Sequence, residues 1–177
     1  MKALVLNGPN QPFDITEVPD PVAGPGEAVA KVFACGSGLT IQHVKAGRMT
    51  ADFPRIIGHE ISAEIVEVGI GVDGLEIGDG VTSYYYINCG HCRWCLSGFE
   101  PLCENSLGNV GRECDGGYAE YIKLPAHLFV KFPVGIDYKN LSLIHISEPT
   151  RPERIGCCGL WVKKKRGGGG GGGGGGG

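Results

Sequence analysis

Long apolar runs are missing from this sequence of 177 residues. None approaches the roughly 18 residues that a membrane-spanning helix needs, which argues against a transmembrane protein. The N-terminal stretch 1–8 holds one basic residue and four consecutive apolar ones, too few for a signal peptide, and is more typical of a first strand. We therefore expect a cytoplasmic protein without a membrane partner.

A basic patch is also missing from most of the chain. Residues 1–140 contain 10 Lys and Arg against 17 Asp and Glu, a balance of −7, whereas residues 141–177 contain 6 against 2, a balance of +4. Nucleic acid recognition needs clustered positive charge, so nucleic acid is excluded as an expected partner of residues 1–140.

Cysteine, by contrast, is plentiful, with eight residues in the chain. Without an export signal, a disulfide framework is not expected, because disulfides persist mainly in oxidising compartments. The cysteines therefore indicate metal binding.

Residues 1–132 are typical of an all-β domain. Short stretches rich in apolar and β-branched residues alternate with Gly, Pro and Asp turn signals, and strand–helix alternation of the parallel α/β kind is missing. One short helix is predicted at 39–46. The predicted strands are 2–7, 13–18, 27–34, 61–68, 81–87, 119–124 and 128–132.

Four cysteines, Cys89, Cys92, Cys95 and Cys103, form the most specific local pattern. Zinc binds four thiolates tetrahedrally, and two-residue spacers allow a turn to present successive sulfurs to one ion. Such a site is closed to water and hence structural. An iron–sulfur cluster, or a redox pair made from one Cys-x2-Cys unit, is the alternative.

The segment 141–177 differs from what precedes it. It has no clear periodicity and ends in eleven consecutive glycines, which have no side chains to bury and the largest chain entropy to lose. We expect a disordered tail. Residues 141–151 resemble the conceptual translation of a sequencing adapter, and on that interpretation the tail is an artefact.

Cys35 and Gly58-His59-Glu60 precede the four cysteines. In this order they resemble the N-terminal, GroES-like catalytic domain of the zinc-dependent medium-chain alcohol dehydrogenases. Further matches are Val68-Gly69, Ile77-Gly78-Asp79 and the run from Asp115 to Tyr121. The resemblance covers residues 1–140. It implies a partly open β-barrel that carries a four-cysteine zinc lobe.

The resemblance also implies a second, catalytic zinc. Its ligands would be Cys35 and His59, with Glu60 beside the metal or as a temporary ligand. Ser37 would pass the substrate proton outward. The implied reaction is zinc-assisted hydride transfer from a small alcohol to NAD or NADP, in a parent protein that is a homo-oligomer.

Several positions depart from the family pattern. Gly36 replaces a basic residue that some members carry, Gly38 replaces an Asp, and Thr40 replaces a His, which predicts a shortened proton relay. His43 lies nearby; a surface position is expected for it, with a role in the proton relay as the alternative. Cys114 is interpreted as a free thiol.

The Rossmann domain that follows in the family is missing here, as is the third protein ligand of the catalytic zinc. We therefore expect an inactive fragment of an alcohol or polyol dehydrogenase, with two zinc ions per chain. A stand-alone structural zinc module without activity is the alternative. A relative that works as a reductase without catalytic zinc is disfavoured by Cys35 and His59.

Overall fold

Residues 1–138 are described by the computed structural model, and the predicted tail at 141–177 lies outside them. The described part is mostly β, as predicted. No helix in it is long and apolar enough to cross a bilayer. The strands are β1 Lys2–Leu6, β2 Phe13–Glu17, β3 Glu27–Gly36, β4 Arg55–Ile56, β5 Glu60–Val68, β6 Gly80–Ser83, β7 Tyr86–Ile87, β8 Gly108–Asn109, β9 Tyr121–Pro125 and β10 Phe129–Lys131. The helices are α1 Leu39–Lys45 and α2 Arg93–Leu96, and short 3-10 turns cover Glu100–Leu102 and Ala126–Leu128.

The largest sheet has five antiparallel strands in the order β10-β6-β5-β3-β9. Its centre is the long pair of β3 and β5, in which Cys35 lies opposite Ile61 and Gly36 opposite Glu60. Both strands are rich in β-branched and small apolar residues, as expected for strands buried on one face. This register decides which side chains meet at the end of β3.

A three-stranded sheet in the order β2-β1-β4 continues beside β9. A bridge between Ala3 and Ala119 joins the two, and the amide of Leu4 donates to the carbonyl oxygen of Tyr118 at 2.8 Å. Because β4 pairs with β1, the residues that follow β4 enter the larger sheet from this side. His59 lies on that connection.

Two apolar clusters form the core of the described residues. The larger cluster fills the five-stranded sheet and includes Ile61, Ile65, Val81 and Leu128. The smaller one packs helix α1 onto β1 through Leu6, Ile41, Val44 and Ile57. In α1 the buried positions are 41 and 44, three residues apart, so one helix face covers the core.

The predicted strand 81–87 is divided in two, which is a correction. Its first part, β6, pairs with β5 and β10, whereas its second part, β7, pairs with β8. The amide of Tyr84 still donates to the Leu128 carbonyl, but the Tyr85 carbonyl accepts from the amide of Val110. The chain changes hydrogen-bond partners between these residues, and apolar patterning alone carries no signal for such a change.

Candidate metal sites

The cysteine lobe, defined as residues 88–107, leaves the domain after β7 and returns at β8. Cys92 precedes helix α2, Cys95 lies within it, and Cys103 follows the 3-10 turn Glu100–Leu102. Cys89 comes directly after the buried Asn88. Short turns therefore present all four sulfurs to a common centre.

The ligand atoms of Cys89, Cys92, Cys95 and Cys103 all lie within 4.8 Å of one another. The sulfur–sulfur distances are 3.9 Å for Cys89–Cys95, 3.5 Å for Cys92–Cys95 and 3.9 Å for Cys92–Cys103. A tetrahedral ion with bonds of about 2.3 Å to sulfur would separate its ligands by about 3.8 Å. The four sulfurs therefore fit a zinc ion by their spacing as well as by their chemistry.

Backbone amides donate to two of the sulfurs, and the Cys89 and Cys95 thiols differ in pKa. The amide of Cys89 donates to Cys103 Sγ at 3.3 Å, and the amide of Cys92 donates to Cys89 Sγ at 3.4 Å. Hydrogen bonds from the amides of His91 and Cys92 lower the pKa of the Cys89 thiol to about 5. Burial, followed by hydrogen bonding to Cys92 and Cys103, raises the pKa of the Cys95 thiol to about 12. Four adjacent thiolates repel one another, and a divalent cation would relieve that repulsion.

His127 connects the lobe to the five-stranded sheet. Its Nε2 donates to the Asn88 carbonyl oxygen at 3.0 Å, while Asn88 Oδ1 accepts from the amide of Gly90 at 3.0 Å. Gly90 has a positive φ of 73° and lies against the His127 ring. The first turn of the lobe is therefore fixed to the turn that follows β9.

The second predicted site lies where β3 ends beside the start of β5. The register of these strands pairs Gly36 with Glu60 and Cys35 with Ile61, so Cys35 and Glu60 lie at diagonal positions on neighbouring strands. His59 immediately precedes β5, and Ser37 immediately follows β3. All four side chains are half-buried.

Gly58 allows this arrangement because its φ is +101°, a conformation that L side chains rarely adopt. A Cβ at Gly58 would lie 2.6 Å from the Tyr118 ring and 2.7 Å from Cys35 Sγ. The Gly in Gly58-His59-Glu60 therefore has two roles. It turns the chain into β5, and it leaves room for the Cys35 sulfur.

A Cβ at Gly36 or at Gly38 would meet the oxygens of the Glu60 carboxylate. That carboxylate is the end of a flexible side chain, so it would have to move if either position carried a larger residue. In this chain Glu60 occupies the volume above both glycines.

The two sites differ in how completely they are assembled. A metal site needs at least three His, Cys, Asp or Glu ligand atoms close together. Within residues 1–138, only the four lobe cysteines bring such atoms within 4.8 Å of one another. Cys35, His59 and Glu60 share one edge but do not form such a set. Their donor chemistry, a thiolate, an imidazole and a carboxylate, nevertheless suits zinc.

Two further predictions concerned single residues. Cys114 lies outside the lobe set, as expected; burial raises the pKa of its thiol, and its Sγ donates to the Leu107 carbonyl oxygen at 3.5 Å. His43 was expected at the surface. It is instead half-buried on α1, and its Nδ1 has no hydrogen-bond partner among the described residues.

Sequence reasoning missed Tyr85 and Arg112. The Tyr85 ring contacts the His59 ring with centroids 4.7 Å apart, and an interaction with the Tyr85 side chain raises the pKa of Arg112. A tyrosine-rich run, Tyr84-Tyr85-Tyr86, just before the first lobe cysteine was the signal available. Nothing in the sequence indicated that Tyr85 would contact His59 or interact with Arg112.

Known proteins show what the chain is similar to. Residues 24–134 match the family described as the alcohol dehydrogenase GroES-like domain. The L-threonine 3-dehydrogenase of Cutibacterium acnes is 40% identical over 130 residues, which is 71% of this chain and 37% of that protein.

Solved structures give the same result. The cobalt- and zinc-bound thermostable alcohol dehydrogenase of Pyrobaculum aerophilum has a TM-score of 0.75 at 35% identity, covering 82% of this chain and 45% of that one. A zinc-binding dehydrogenase of Sinorhizobium meliloti 1021, bound to NADP, has a TM-score of 0.72 at 31% identity, covering 80% of this chain and 41% of that one. The chain thus spans less than half the length of these relatives. By its family match, its fold and the order of its cysteines and His59, the chain belongs to the alcohol dehydrogenase GroES-like domain family.

Proposed function

We propose that this chain is the metal-binding catalytic region of a zinc-dependent alcohol dehydrogenase that uses NAD or NADP. The observation that carries the proposal is that Cys35 lies at the end of β3 with its Sγ against Gly58, the residue before His59 and Glu60, in the same domain as a separate four-cysteine site. A purely structural zinc module has no need of this second donor set.

Each side chain of the second site has a proposed role. Cys35 and His59 would hold the catalytic zinc, with Glu60 beside it, and the four lobe cysteines would hold a structural one. When bound, the catalytic zinc supplies Lewis-acid polarisation of the alcohol oxygen. Ser37 follows the strand end that carries Cys35, and its hydroxyl would accept the substrate proton and pass it outward.

The proposed substrate is a small alcohol, and the relatives include enzymes named for threonine and for alcohols generally. The balance of −7 over residues 1–140 supports a protein that does not bind nucleic acid. Thiol-rich metal sites are typical of reducing compartments, which supports a cytoplasmic location.

We also propose that the full-length protein is a homo-oligomer. Four large apolar side chains are exposed on the lobe, and such groups are typical of surfaces that contact another subunit. They are Leu96, Phe99, Leu102 and Leu107. Analytical ultracentrifugation is the test, and a monomer at all concentrations would contradict this part of the proposal.

Metal analysis tests the enzymatic proposal against the structural-module alternative. The purified chain is expected to bind two zinc ions, one removed readily by a chelator, and Cys35→Ser is expected to lower the content to one. Cys114→Ser is the matched control and should keep both ions. A single tightly held ion, together with free alkylation of Cys35 in the metal-loaded chain, would instead support the module.

A further inference from the structure

Tyr85 packs against the His59 ring at the candidate catalytic site. The two ring centroids are 4.7 Å apart, with the ring planes inclined at 52°. Tyr85 also contacts Tyr86, edge to face, at 5.0 Å. One face of the His59 imidazole is therefore covered by an aromatic side chain that the site does not otherwise use.

The backbone on both sides of Tyr85 is fixed. The amide of Tyr84 donates to the Leu128 carbonyl oxygen at 2.8 Å, and the Tyr85 carbonyl oxygen accepts from the amide of Val110 at 3.0 Å. These two bonds belong to different sheets, because the chain passes here from β6 to β7. The Tyr85 ring therefore projects from a rigid junction between sheets.

Arg112 lies near the other end of the phenol ring. The Tyr85 side chain interacts with this guanidinium and raises the pKa of Arg112. Its Nε donates to the Thr50 carbonyl oxygen at 3.0 Å, and its Nη2 lies 3.4 Å from Thr50 Oγ1 and 3.5 Å from Glu113 Oε1. The Arg112 side chain is only 18% exposed, so these contacts are shielded from water.

Glu113 is itself held in place. Its Oε2 accepts from the backbone amide of Asn109 at 2.9 Å and from Asn109 Nδ2 at 3.1 Å. The planar guanidinium of Arg112 thus connects the loop that contains Thr50, the Tyr85 junction and the turn after β8. A guanidinium suits this role because its N–H donors have fixed directions, so it constrains the orientation of its partners as well as their distance.

We propose that Tyr85 is a positioning residue for His59, and that Arg112 acts through Tyr85 by holding the phenol ring against the imidazole. The inference rests on the proposed role of His59 as a metal ligand. A ligand imidazole binds well only if its ring keeps one orientation, and loss of an outer partner typically costs 10- to 100-fold in metal affinity or activity. Here the outer partner is a ring contact, and Arg112 is the charged group that would secure it.

Three substitutions separate positioning from general stability. Tyr85→Leu removes the ring, Tyr85→Phe keeps the ring and removes only the hydroxyl acceptor, and Arg112→Met removes the donors at similar side-chain length. Arg93→Met is the matched control, because Arg93 pairs with Glu104 on the exposed lobe, away from His59. Slow hydrogen exchange of the β3 and β5 amides confirms that the barrel of each variant is folded.

Histidine-labelled protein provides a readout that does not depend on activity. NMR of the 177-residue chain, with His59 assigned from a His59→Gln variant, reports the ring-current shift from Tyr85 and the ps–ns mobility of the imidazole. We expect Tyr85→Leu to abolish the shift. Tyr85→Phe should keep most of it but increase the mobility, and Arg112→Met should match Tyr85→Phe.

Cobalt provides the second readout. Co²⁺ is titrated into chain that keeps zinc in the lobe, and its visible absorption reports binding through Cys35 and His59, with His59→Gln as the blank. Tyr85→Phe and Arg112→Met are each expected to weaken Co²⁺ binding on the order of tenfold. Arg93→Met is expected to bind like the parent chain.

The outcomes distinguish the two proposals. The positioning role is overturned if Tyr85→Leu leaves the His59 signals unchanged, or if Arg112→Met alters neither the mobility of His59 nor Co²⁺ affinity. If the His59 signals change as expected but the parent chain does not bind Co²⁺ through His59, the contact stands and the proposed metal function fails.

Discussion

The cysteine lobe and the edge that carries Cys35 both present metal-binding side chains. In the lobe these side chains come from one short segment, whereas at the edge they come from distant parts of the chain. The lobe draws its four sulfurs from the single segment Cys89–Cys103, through two short turns. The other site needs the end of β3, the start of β5 and the register between them. Local spacing is sufficient for the first site, whereas the second depends on the fold of the whole domain.

This difference predicts how each site fails. A lobe that folds around its ion should be lost when one ligand is removed, while the barrel remains, since structural zinc sites couple metal binding to folding. The second site should instead respond to changes in packing that leave its own donor atoms untouched. The following four substitutions test that contrast, in order of decreasing effect.

The largest effect is expected from Cys103→Ser. Loss of this sulfur should remove one zinc ion per chain and unfold the lobe, measured by metal analysis and by hydrogen exchange of amides 88–107. Exchange in β3 and β5 should remain slow. Cys114→Ser, the control, should keep the zinc, and a Cys103→Ser chain with full zinc content would show that the four-cysteine site is wrongly assigned.

Gly58→Ala should act on the other site only. The added Cβ meets the Tyr118 ring at 2.6 Å and Cys35 Sγ at 2.7 Å at a φ of +101°, so we expect a loss of about 3 kcal/mol in unfolding free energy. Zinc in the lobe should be retained while Co²⁺ binding at Cys35 is lost.

Gly71→Ala is the control for Gly58→Ala, measured by the same chemical denaturation. Its φ is +79°, but an added Cβ would meet nothing within 4 Å. Only backbone strain remains, and a loss of about 1 kcal/mol is expected. Equal losses in the two variants would show that close packing at Gly58 contributes nothing.

His127→Phe should loosen the attachment between lobe and sheet without dismantling either one. A planar aromatic ring is kept and one hydrogen bond, to the Asn88 carbonyl oxygen, is lost, at a cost of about 1 kcal/mol. Hydrogen exchange of the Gly90 amide should therefore accelerate about fivefold. His91→Phe removes a bond within the lobe and should not have this effect; if both variants accelerate exchange equally, His127 is not the attachment.

The smallest effect concerns the barrel alone. Hydrogen bonds from the Glu76 amide and then from Lys131 lower the pKa of Asp79 below its usual 3.8. Its stabilising contribution is therefore complete above about pH 3.8 and is lost as the pH falls through the folded-state pKa.

Asp79→Asn should flatten the fall in stability below pH 4, measured by urea denaturation between pH 3 and 7. Asp73→Asn removes the same charge from an exposed loop residue and should leave the slope unchanged. An unchanged slope in Asp79→Asn would mean that these hydrogen bonds do not persist in solution.

Much of the fold could be predicted from the sequence because its strands are strongly patterned. The helix predicted at 39–46 is found at Leu39–Lys45, and the seven predicted strands all correspond to observed ones. The strands that were missed, β4 and β8, have two residues each and exist only because β1 and β7 pair with them. Their own residues carry no strand pattern, and only the pairing with β1 and β7 makes them strands.

The candidate sites also differ in whether local sequence or tertiary structure determines them. The spacing of the four cysteines already indicated that their sulfurs converge, and the structure brings them within 4.8 Å; their binding of zinc stays a prediction. Cys35 and His59 were identified through resemblance to a family. The contact of Tyr85 with His59, and its interaction with Arg112, could not be predicted, because each depends on tertiary placement.

The neck of the lobe has a consequence for protein engineering. Ile87 and Gly108 are directly paired across β7 and β8, and the amide of Leu107 also donates to the Ile87 carbonyl oxygen at 2.9 Å. The two ends of the 20-residue insertion are therefore neighbours on adjacent antiparallel strands, close enough for a tight hairpin turn to replace it. We therefore expect that the lobe can be replaced at this pair of strands without breaking the path of the chain through the barrel.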